Sequence, residues 1–441
     1  LDLVVTIPRK LLRRRFVKET MTLQMGSFAT FGIQFLASVV IANALGVPLY
    51  GAFGIAWNLF DLVSTVANLA VGQALITRLA AAVSRGDREE SSNLIAYSIK
   101  IGLIVGLIQA AVGLLGAGWL GALLGYDPRV SELARMLFLI PAFAVAFNTV
   151  VLALQSSRQA ARLTLLENGV LIGTSVMNAA AVALGGGIQG LIYTTALAPL
   201  LASLVALALY NATFQQAGLP SPVTVVRASL RVPIRRYFSF SVWISADKSF
   251  AKLIALAPIT LLGMLSRESE VAYFRLGYNL MNFLSVPISP IARNLYAALS
   301  QVALKQGPGG LGRALGRATI LGGLVSVAGS AAMALASPYV LRLYSAEYAP
   351  VQFVIYALWL RFALLGFGVG LGPIYQVLNV MKLAIVTKIV PALIMLGVGW
   401  TVIGQHGAVG AAWTLVSAYL VGDLVNALLV PWLLRRAAGT R

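Results

Sequence analysis

From end to end the chain alternates between long apolar runs and short breaks that carry charge, glycine or proline. Each run is longer than the roughly 18 residues a helix needs to cross a hydrocarbon core. Reading between the breaks predicts helices over 21–45, 51–76, 94–125, 132–157, 163–184 and 188–210. A second set follows over 238–264, 270–300, 313–335, 350–377, 381–403 and 407–433. Turn chemistry marks two of the breaks, at Gly185-Gly186-Gly187 and at Gln306-Gly307-Pro308-Gly309-Gly310. Pro258, Pro287, Pro290, Pro373 and Pro391 fall inside runs and predict kinks there. The expected fold is an all-α integral membrane protein of about twelve transmembrane helices. One early apolar run would suit a cleaved leader, but a dozen spread along the chain do not.

The longest polar connector, 211–237, falls at the midpoint. It divides the chain into a basic amino-terminal stretch (1–20), six helices over 21–210, the connector, six helices over 238–433 and a tail at 434–441. Within the connector, Arg227, Arg231, Arg235 and Arg236 alternate with apolar residues. That pattern suits an amphipathic helix lying on anionic membrane lipids. The stretch Arg9–Lys18 reads the same way, and ordinary positive-inside anchoring explains both without a role in cargo binding.

Composition then sharpens the picture. Hydrophobic residues make up 59% of the 441 and charged residues 11%, against about a quarter charged in soluble proteins. A net charge of +19 would suggest nucleic acid in a soluble protein, but here no nucleic-acid partner is needed. Twenty-four of the 33 basic residues fall on one side of the expected spans. The other side has Arg129, Arg135, Arg267, Arg275 and Arg342, matched by Asp127, Glu132, Glu268, Glu270 and Glu347. This asymmetry places both termini in the cytoplasm and makes the span count even. The expected location is the inner, cytoplasmic membrane of a bacterium or archaeon. The chain starts at Leu1, so a few preceding residues are expected. Without cysteine there are no disulfides, thiolate metal sites or thiol catalysis. His406, the sole histidine, is expected in a short outer turn. No carboxylate pair, metal-ligand cluster or nucleophile–base set appears, so no catalytic residue, metal or cofactor is expected, and a transporter is favoured over an enzyme.

Charge inside a span costs roughly 2.5–3.5 kcal/mol at the bilayer centre, so each instance needs a reason. Lys248 and Lys252 stand four apart in the seventh helix and share a face. Asp247 sits about 100° round the helix from Lys248, leaving an expected excess of positive charge. Arg361 lies mid-way along the tenth helix, with Arg275 and Arg293 toward the two ends of the eighth. The buried acids are Asp61, Glu167 and Asp423, in the second, fifth and twelfth helices. Cross-helix pairing would explain Arg293, Glu167 and Asp423, and snorkelling would explain Arg275 and Arg293. Lys248, Lys252 and Arg361 are too central for snorkelling and are expected to face a hydrated cavity suited to phosphate or carboxylate. Gly366, Gly368, Gly370 and Gly372 form overlapping small-residue pairs that permit close helix contact.

Four segments then resemble a known family. They are Asn43-Ala-Leu-Gly-Val-Pro-Leu-Tyr50-Gly-Ala-Phe-Gly with Asp61 and the run through Arg78 to Arg85-Gly-Asp87; Val271-Ala-Tyr-Phe-Arg-Leu-Gly-Tyr-Asn279; Leu341-Arg-Leu-Tyr-Ser-Ala-Glu-Tyr348-Ala-Pro350; and Gly404-Gln-His-Gly-Ala-Val-Gly-Ala-Ala412. In order and spacing they are similar to the polysaccharide-transporter (Wzx-type) flippases of the multidrug/oligosaccharidyl-lipid/polysaccharide exporter superfamily. The resemblance implies two six-helix lobes around a central cavity, opening alternately inward and outward. It implies a polyprenyl-diphosphate-linked oligosaccharide as cargo, and polysaccharide assembly machinery as a possible partner. Cavity lining by helices 1, 2, 7 and 8 carries over to Gln34, Asn58, Asp61, Lys248, Lys252, Arg275 and Asn279. Lipid II flippases of the superfamily have two further helices and basic residues within the first span. Neither is present here, which favours a surface-polysaccharide precursor.

Three rivals remain at this level. A cation-coupled multidrug exporter of the same superfamily would suit an acidic or apolar cavity. A membrane-embedded glycosyltransferase or polymerase would need a large outer loop bearing catalytic groups, whereas every outer connection here is short. A non-catalytic envelope scaffold would have no use for buried charge on several helices. Asp61, Asp247, Glu167 and Asp423 are the candidates for H⁺ or Na⁺ coupling or for charge pairing.

Overall fold

The computed structural model describes residues 17–67, 71–157, 159–233, 235–378 and 380–439. Every described element is a helix, and among these residues there is no strand. In chain order the α-helices are α1 (Val17–Ala67), α2 (Val71–Ser84), α3 (Arg88–Leu123), α4 (Pro128–Leu137), α5 (Ile140–Phe143), α6 (Val145–Ser156), α7 (Ala160–Ala181) and α8 (Gly187–Thr213). There follow α9 (Pro222–Arg231), α10 (Arg235–Leu265), α11 (Glu268–Asn282), α12 (Ser285–Leu341), α13 (Val351–Leu365), α14 (Leu371–Val377), α15 (Met381–Val386) and α16 (Ile389–Gly439). The chain divides into two compact units. One is Gly32–Leu256; the other joins the residues up to Phe31 with those from Ala257 onward.

Six helical stretches are long and apolar enough to cross a membrane, or seven if a pair bent by 41° between Pro128–Phe143 and Val145–Ser156 counts as one. Their surfaces are turned outside-in relative to a soluble protein, with Leu115 88%, Leu184 87% and Leu335 77% exposed. Water would not tolerate so much aliphatic surface, whereas acyl chains match it. The chain is therefore a multi-pass membrane protein.

The breaks have two physical origins. Some are glycines outside helical geometry: Gly46 (φ 71°, ψ 171°) within α1, Gly307 within α12, Gly407 within α16, and the Gly185–Gly187 run between α7 and α8. The turns expected at 185–187 and 306–310 are thus present. Others are linked to proline. The helix is interrupted at 138–139, 283–284, 369–370 and 387–388, and Pro141, Pro287, Pro373 and Pro391 follow within two to four residues. A proline has no N–H for the carbonyl one turn back, so the ladder opens just ahead of it. The kinks expected from Pro287, Pro373 and Pro391 thus appear as breaks just ahead of those residues, within 270–300, 350–377 and 381–403, whereas the break within 132–157 was not expected. Pro258 was expected to kink the seventh helix, yet it sits inside α10 without a break.

Freed backbone groups at membrane depth need partners. At the α5–α6 junction Ser203 of α8 supplies two: its hydroxyl donates to the Phe143 carbonyl (2.5 Å) and accepts from the Phe147 N–H (3.1 Å). Ser203→Ala is expected to destabilise the protein by about 1–3 kcal/mol, read as a lower thermal midpoint in detergent. An unchanged midpoint would show that the junction finds other partners.

Helix ends follow local chemistry. Asp87 caps α3 by accepting from the Glu90 N–H at 3.0 Å, with Glu89 and Glu90 placed against the positive end of the helix dipole. Asp127 caps α4 through the Arg129 N–H at 2.7 Å. Glu270 was expected to balance the outer arginines. Instead it reaches across to the start of the last helical segment, where its carboxylate accepts from the Ala408 N–H at 2.7 Å. Gly407 is doubly constrained there. Its φ is +53°, and a Cβ at this position would overlap the Glu270 carboxylate.

Candidate functional site

The clearest charge pair lies within the Gly32–Leu256 unit and joins a largely buried acid to a half-exposed lysine. Asp61 follows the Gly46 break in α1 and has a side chain only 18% exposed. Lys252 of α10 places its Nζ 2.7 Å from Asp61 Oδ1. One turn along each helix a second contact repeats the match: the Ser249 hydroxyl donates to the Thr65 carbonyl at 3.0 Å. Ser249 and Lys252 ascend α10 while Thr65 and Asp61 descend α1, so the two helices run antiparallel here. Thr65 itself donates to the Asp61 carbonyl at 2.6 Å. Below this pair, Ser64 donates to Gln109 of α3 at 2.7 Å in a buried contact.

This geometry revises the expected charge excess. Lys252 is neutralised by Asp61, a partner 191 positions away in sequence, so α10 does not offer two unopposed lysines. The side chains of Lys248, Asp247 and Arg293 lie outside the described residues. Asn58 is buried at 1% exposure, and Gln34 and Glu167 are half-buried in the same unit.

The second constellation is in the other unit. Arg361 of α13 lays its guanidinium over the ring of Tyr419 in α16, 3.7 Å from the centroid. Such a cation–π contact contributes about 0.5–2 kcal/mol, the larger values belonging to desolvated pairs. Asp423, one turn after Tyr419, lies 3.7 Å from where a Cβ on Gly368 would sit. Tyr278 of α11 packs edge-on against Phe362, the residue after Arg361, with centroids 5.7 Å apart. Arg275 is half-buried one turn before the exposed Asn279. The structure therefore brings Asp61 and Lys252 together, and stacks Arg361 on Tyr419, one turn before Asp423. It adds Tyr419, Tyr278 and Thr65, which sequence reasoning did not single out. A tyrosine one turn before an intramembrane acid, as Tyr419 is before Asp423, was the available signal for the first of these.

His406 is exposed beside the Gly407 break. Among the described residues no three carboxylate or imidazole groups gather closely enough to hold a metal.

The architecture matches solved transporters along nearly its whole length. A multidrug resistance MATE family transporter of the MOP superfamily, in its inward-facing conformation, aligns with a TM-score of 0.72 at 19% identity, covering 91% of this chain and 94% of that one. A MATE protein in the straight conformation aligns at 0.64, with 18% identity and coverage of 95% and 96%. A MOP superfamily transporter from Pyrococcus furiosus aligns at 0.62, with 18% identity and coverage of 93% and 94%. The fold is that of MOP-superfamily transporters. No curated protein matches the chain in sequence. The pattern of the polysaccharide biosynthesis protein family, however, matches residues 16–302, well over half of the sequence. The chain belongs to that family.

Proposed function

We propose that the protein is a flippase that moves a polyprenyl-diphosphate-linked oligosaccharide, a precursor of surface polysaccharide, from the cytoplasmic to the outer leaflet. The observation that carries this reading is membership of the polysaccharide biosynthesis family on a transporter fold. Dividing the 40-, 53- and 55-residue stretches at their glycine breaks turns the six apolar stretches into nine spans, or ten with the bent pair, and the spans read from the sequence over 238–264 and 270–300 complete the proposed twelve. A helix of 53 residues would be about 80 Å long, far more than one ~30 Å crossing requires. The spans group as lobes 21–210 and 238–433, which rock in alternating access with both termini cytoplasmic. Lys248, Arg361, Arg275 and Asn279 engage the diphosphate and sugars, together with Lys252 when it leaves Asp61. Gln34 and Asn58 shape the path. The lipid tail stays in the bilayer throughout.

The energetics favour export without an obligatory coupling ion. A diphosphate carrying about two negative charges gains roughly 4–5 kcal/mol on moving outward across 100 mV, inside negative. Asp61 and Asp423 are the sites where H⁺ or Na⁺ would couple if it does. The solved neighbours that handle drugs share the fold at under 20% identity, which leaves cargo unassigned. The Pyrococcus furiosus relative is itself described as having a binding pocket of reverse polarity that suggests a different function, in keeping with one architecture serving cargoes of opposite charge.

The test is leaflet translocation of a fluorescent polyprenyl-diphosphate oligosaccharide in proteoliposomes under an imposed potential. Protein-dependent flipping that accelerates with an outward-favouring potential is expected. Uptake of a cationic dye, with no flipping of any glycan tried, would overturn the reading in favour of a multidrug exporter.

A further inference from the structure

The Gly32–Leu256 unit carries a second polar site, away from the intramembrane charges. A cleft of about 1020 Å³ opens between the start of α3, the 214–221 segment and α9. This is at the upper end of the roughly 300–1,000 Å³ typical of ligand pockets. Arg88, Arg227 and Arg231 line it, opposed by Glu89 alone among charged residues. Its walls are tied in place: the Lys100 ammonium donates to the Val232 carbonyl at 3.1 Å, the Tyr210 hydroxyl to the Pro220 carbonyl at 2.8 Å, and Val225 is buried at 3% exposure.

Ser92 marks what the cleft is built to hold. It lines the cavity and is 3% exposed, yet its hydroxyl has no hydrogen-bond partner among the described residues. The neighbouring Ser91 donates to the carbonyl four residues back at 2.7 Å, as helical serines commonly do. A buried hydroxyl left unpaired beside three guanidinium groups and the first turn of a 36-residue helix suits an anion that accepts hydrogen bonds.

The outer face of α9 identifies the source of that anion. Val223, Val226 and Leu230 are 60%, 60% and 81% exposed and fall at i, i+3 and i+7, forming one aliphatic row. Arg227 and Arg231 flank that row on one side, and Val225 and Val232 pack inward on the other. An aliphatic row bordered by arginines is the form of a helix at the level of lipid headgroups. We propose that this cleft binds the phosphate of one anionic membrane phospholipid, with Arg227 and Arg231 at the rim, Arg88 and the Ser92 hydroxyl within, and the acyl chains along Val223, Val226 and Leu230. The site is independent of the cargo reading, since its residues are separate from those assigned to cargo.

The full chain, purified in detergent, would be titrated with phosphatidylglycerol, phosphatidylcholine and inorganic phosphate and followed by native mass spectrometry. One retained phosphatidylglycerol per chain is expected, bound more tightly than phosphatidylcholine. Each exposed arginine contributes roughly fivefold, so R227Q/R231Q should weaken retention by about 25-fold. Ser92→Ala should weaken it roughly tenfold, although removing an unpaired hydroxyl would not by itself harm the fold. Glu89→Gln, a surface change that removes the opposing carboxylate, should tighten it. Equal retention of the two lipids, or wild-type binding by all three variants, would overturn the site. Displacement of the lipid by inorganic phosphate at matching concentration would overturn the lipid assignment.

Discussion

Gly366→Ala is expected to lose about 3 kcal/mol or more of stability and to leave little folded protein in the membrane. At this position α12 and the turn that ends α13 meet backbone to backbone. A Cβ on Gly366 would overlap the Gly322 carbonyl oxygen, and a Cβ on Gly322 would stand 2.5 Å from the Gly366 carbonyl oxygen. Neither obstacle is a flexible side chain, so relief requires separating the helices. Beside them, a Cβ on Gly323 would run into the Phe367 ring. In lipid, where apolar burial does not drive helix association, close backbone approach is a main source of packing energy. Gly372→Ala is the matched control. Nothing lies within 4 Å of its added methyl, and inside α14 the change should be neutral or gain about 0.4–1 kcal/mol. Thermal midpoints of the two variants check the pair of expectations. A Gly366→Ala protein as stable as wild type would show that the α12–α13 contact is not as close as described.

The second large effect concerns transport. Lys248→Ala/Lys252→Ala is expected to lower flipping by at least ~100-fold, since charge-assisted hydrogen bonds contribute about 1.5–3 kcal/mol each, while expression stays intact. Because Lys252 neutralises Asp61, the single change Lys252→Ala mixes two losses: a cargo contact and the partner of a mostly buried carboxylate. Adding Asp61→Asn separates them. K252A/D61N should recover the stability that Lys252→Ala loses, yet remain about tenfold slow in flipping. Wild-type rates in K252A/D61N would make Lys252 a structural partner only, and wild-type rates in K248A/K252A would sink the charge-based cargo site altogether.

Much of the architecture was legible because it rests on local rules. Run length and breaks identify membrane helices, and turn chemistry at Gly185–Gly187 and Gly307 locates two of the breaks correctly. The proline positions were visible too, but their consequence falls up to one turn earlier than the residue itself, since the missing donor leaves a carbonyl upstream. Pro258 in α10 shows that the missing donor alone does not force a break. Pairings between distant segments were not legible. Asp61 and Lys252 were each conspicuous as intramembrane charges, yet their union depends on the antiparallel crossing of α1 and α10, which no local spacing encodes. Glu270 illustrates the same limit. Read locally it balances nearby arginines; in three dimensions it serves the amide of Ala408, 138 positions on. Among the glycines at 366, 368, 370 and 372 the pattern announced close packing without saying which residue performs it. Gly366 meets backbone, a Cβ on Gly370 would run into Leu315, and Gly372 faces open space.

The four proline-linked interruptions have a mechanical consequence. An intact helix resists bending because each rung of its ladder must stretch, whereas a helix that already lacks a rung flexes at that point with no further bond to break. These four points therefore join the glycine breaks as the places where the helices bend most easily, and the unbroken stretches between behave as stiff levers. Force applied at one end of such a helix turns into rotation about a fixed joint rather than a diffuse curve, so the displacement at its far end is set by the lever's length.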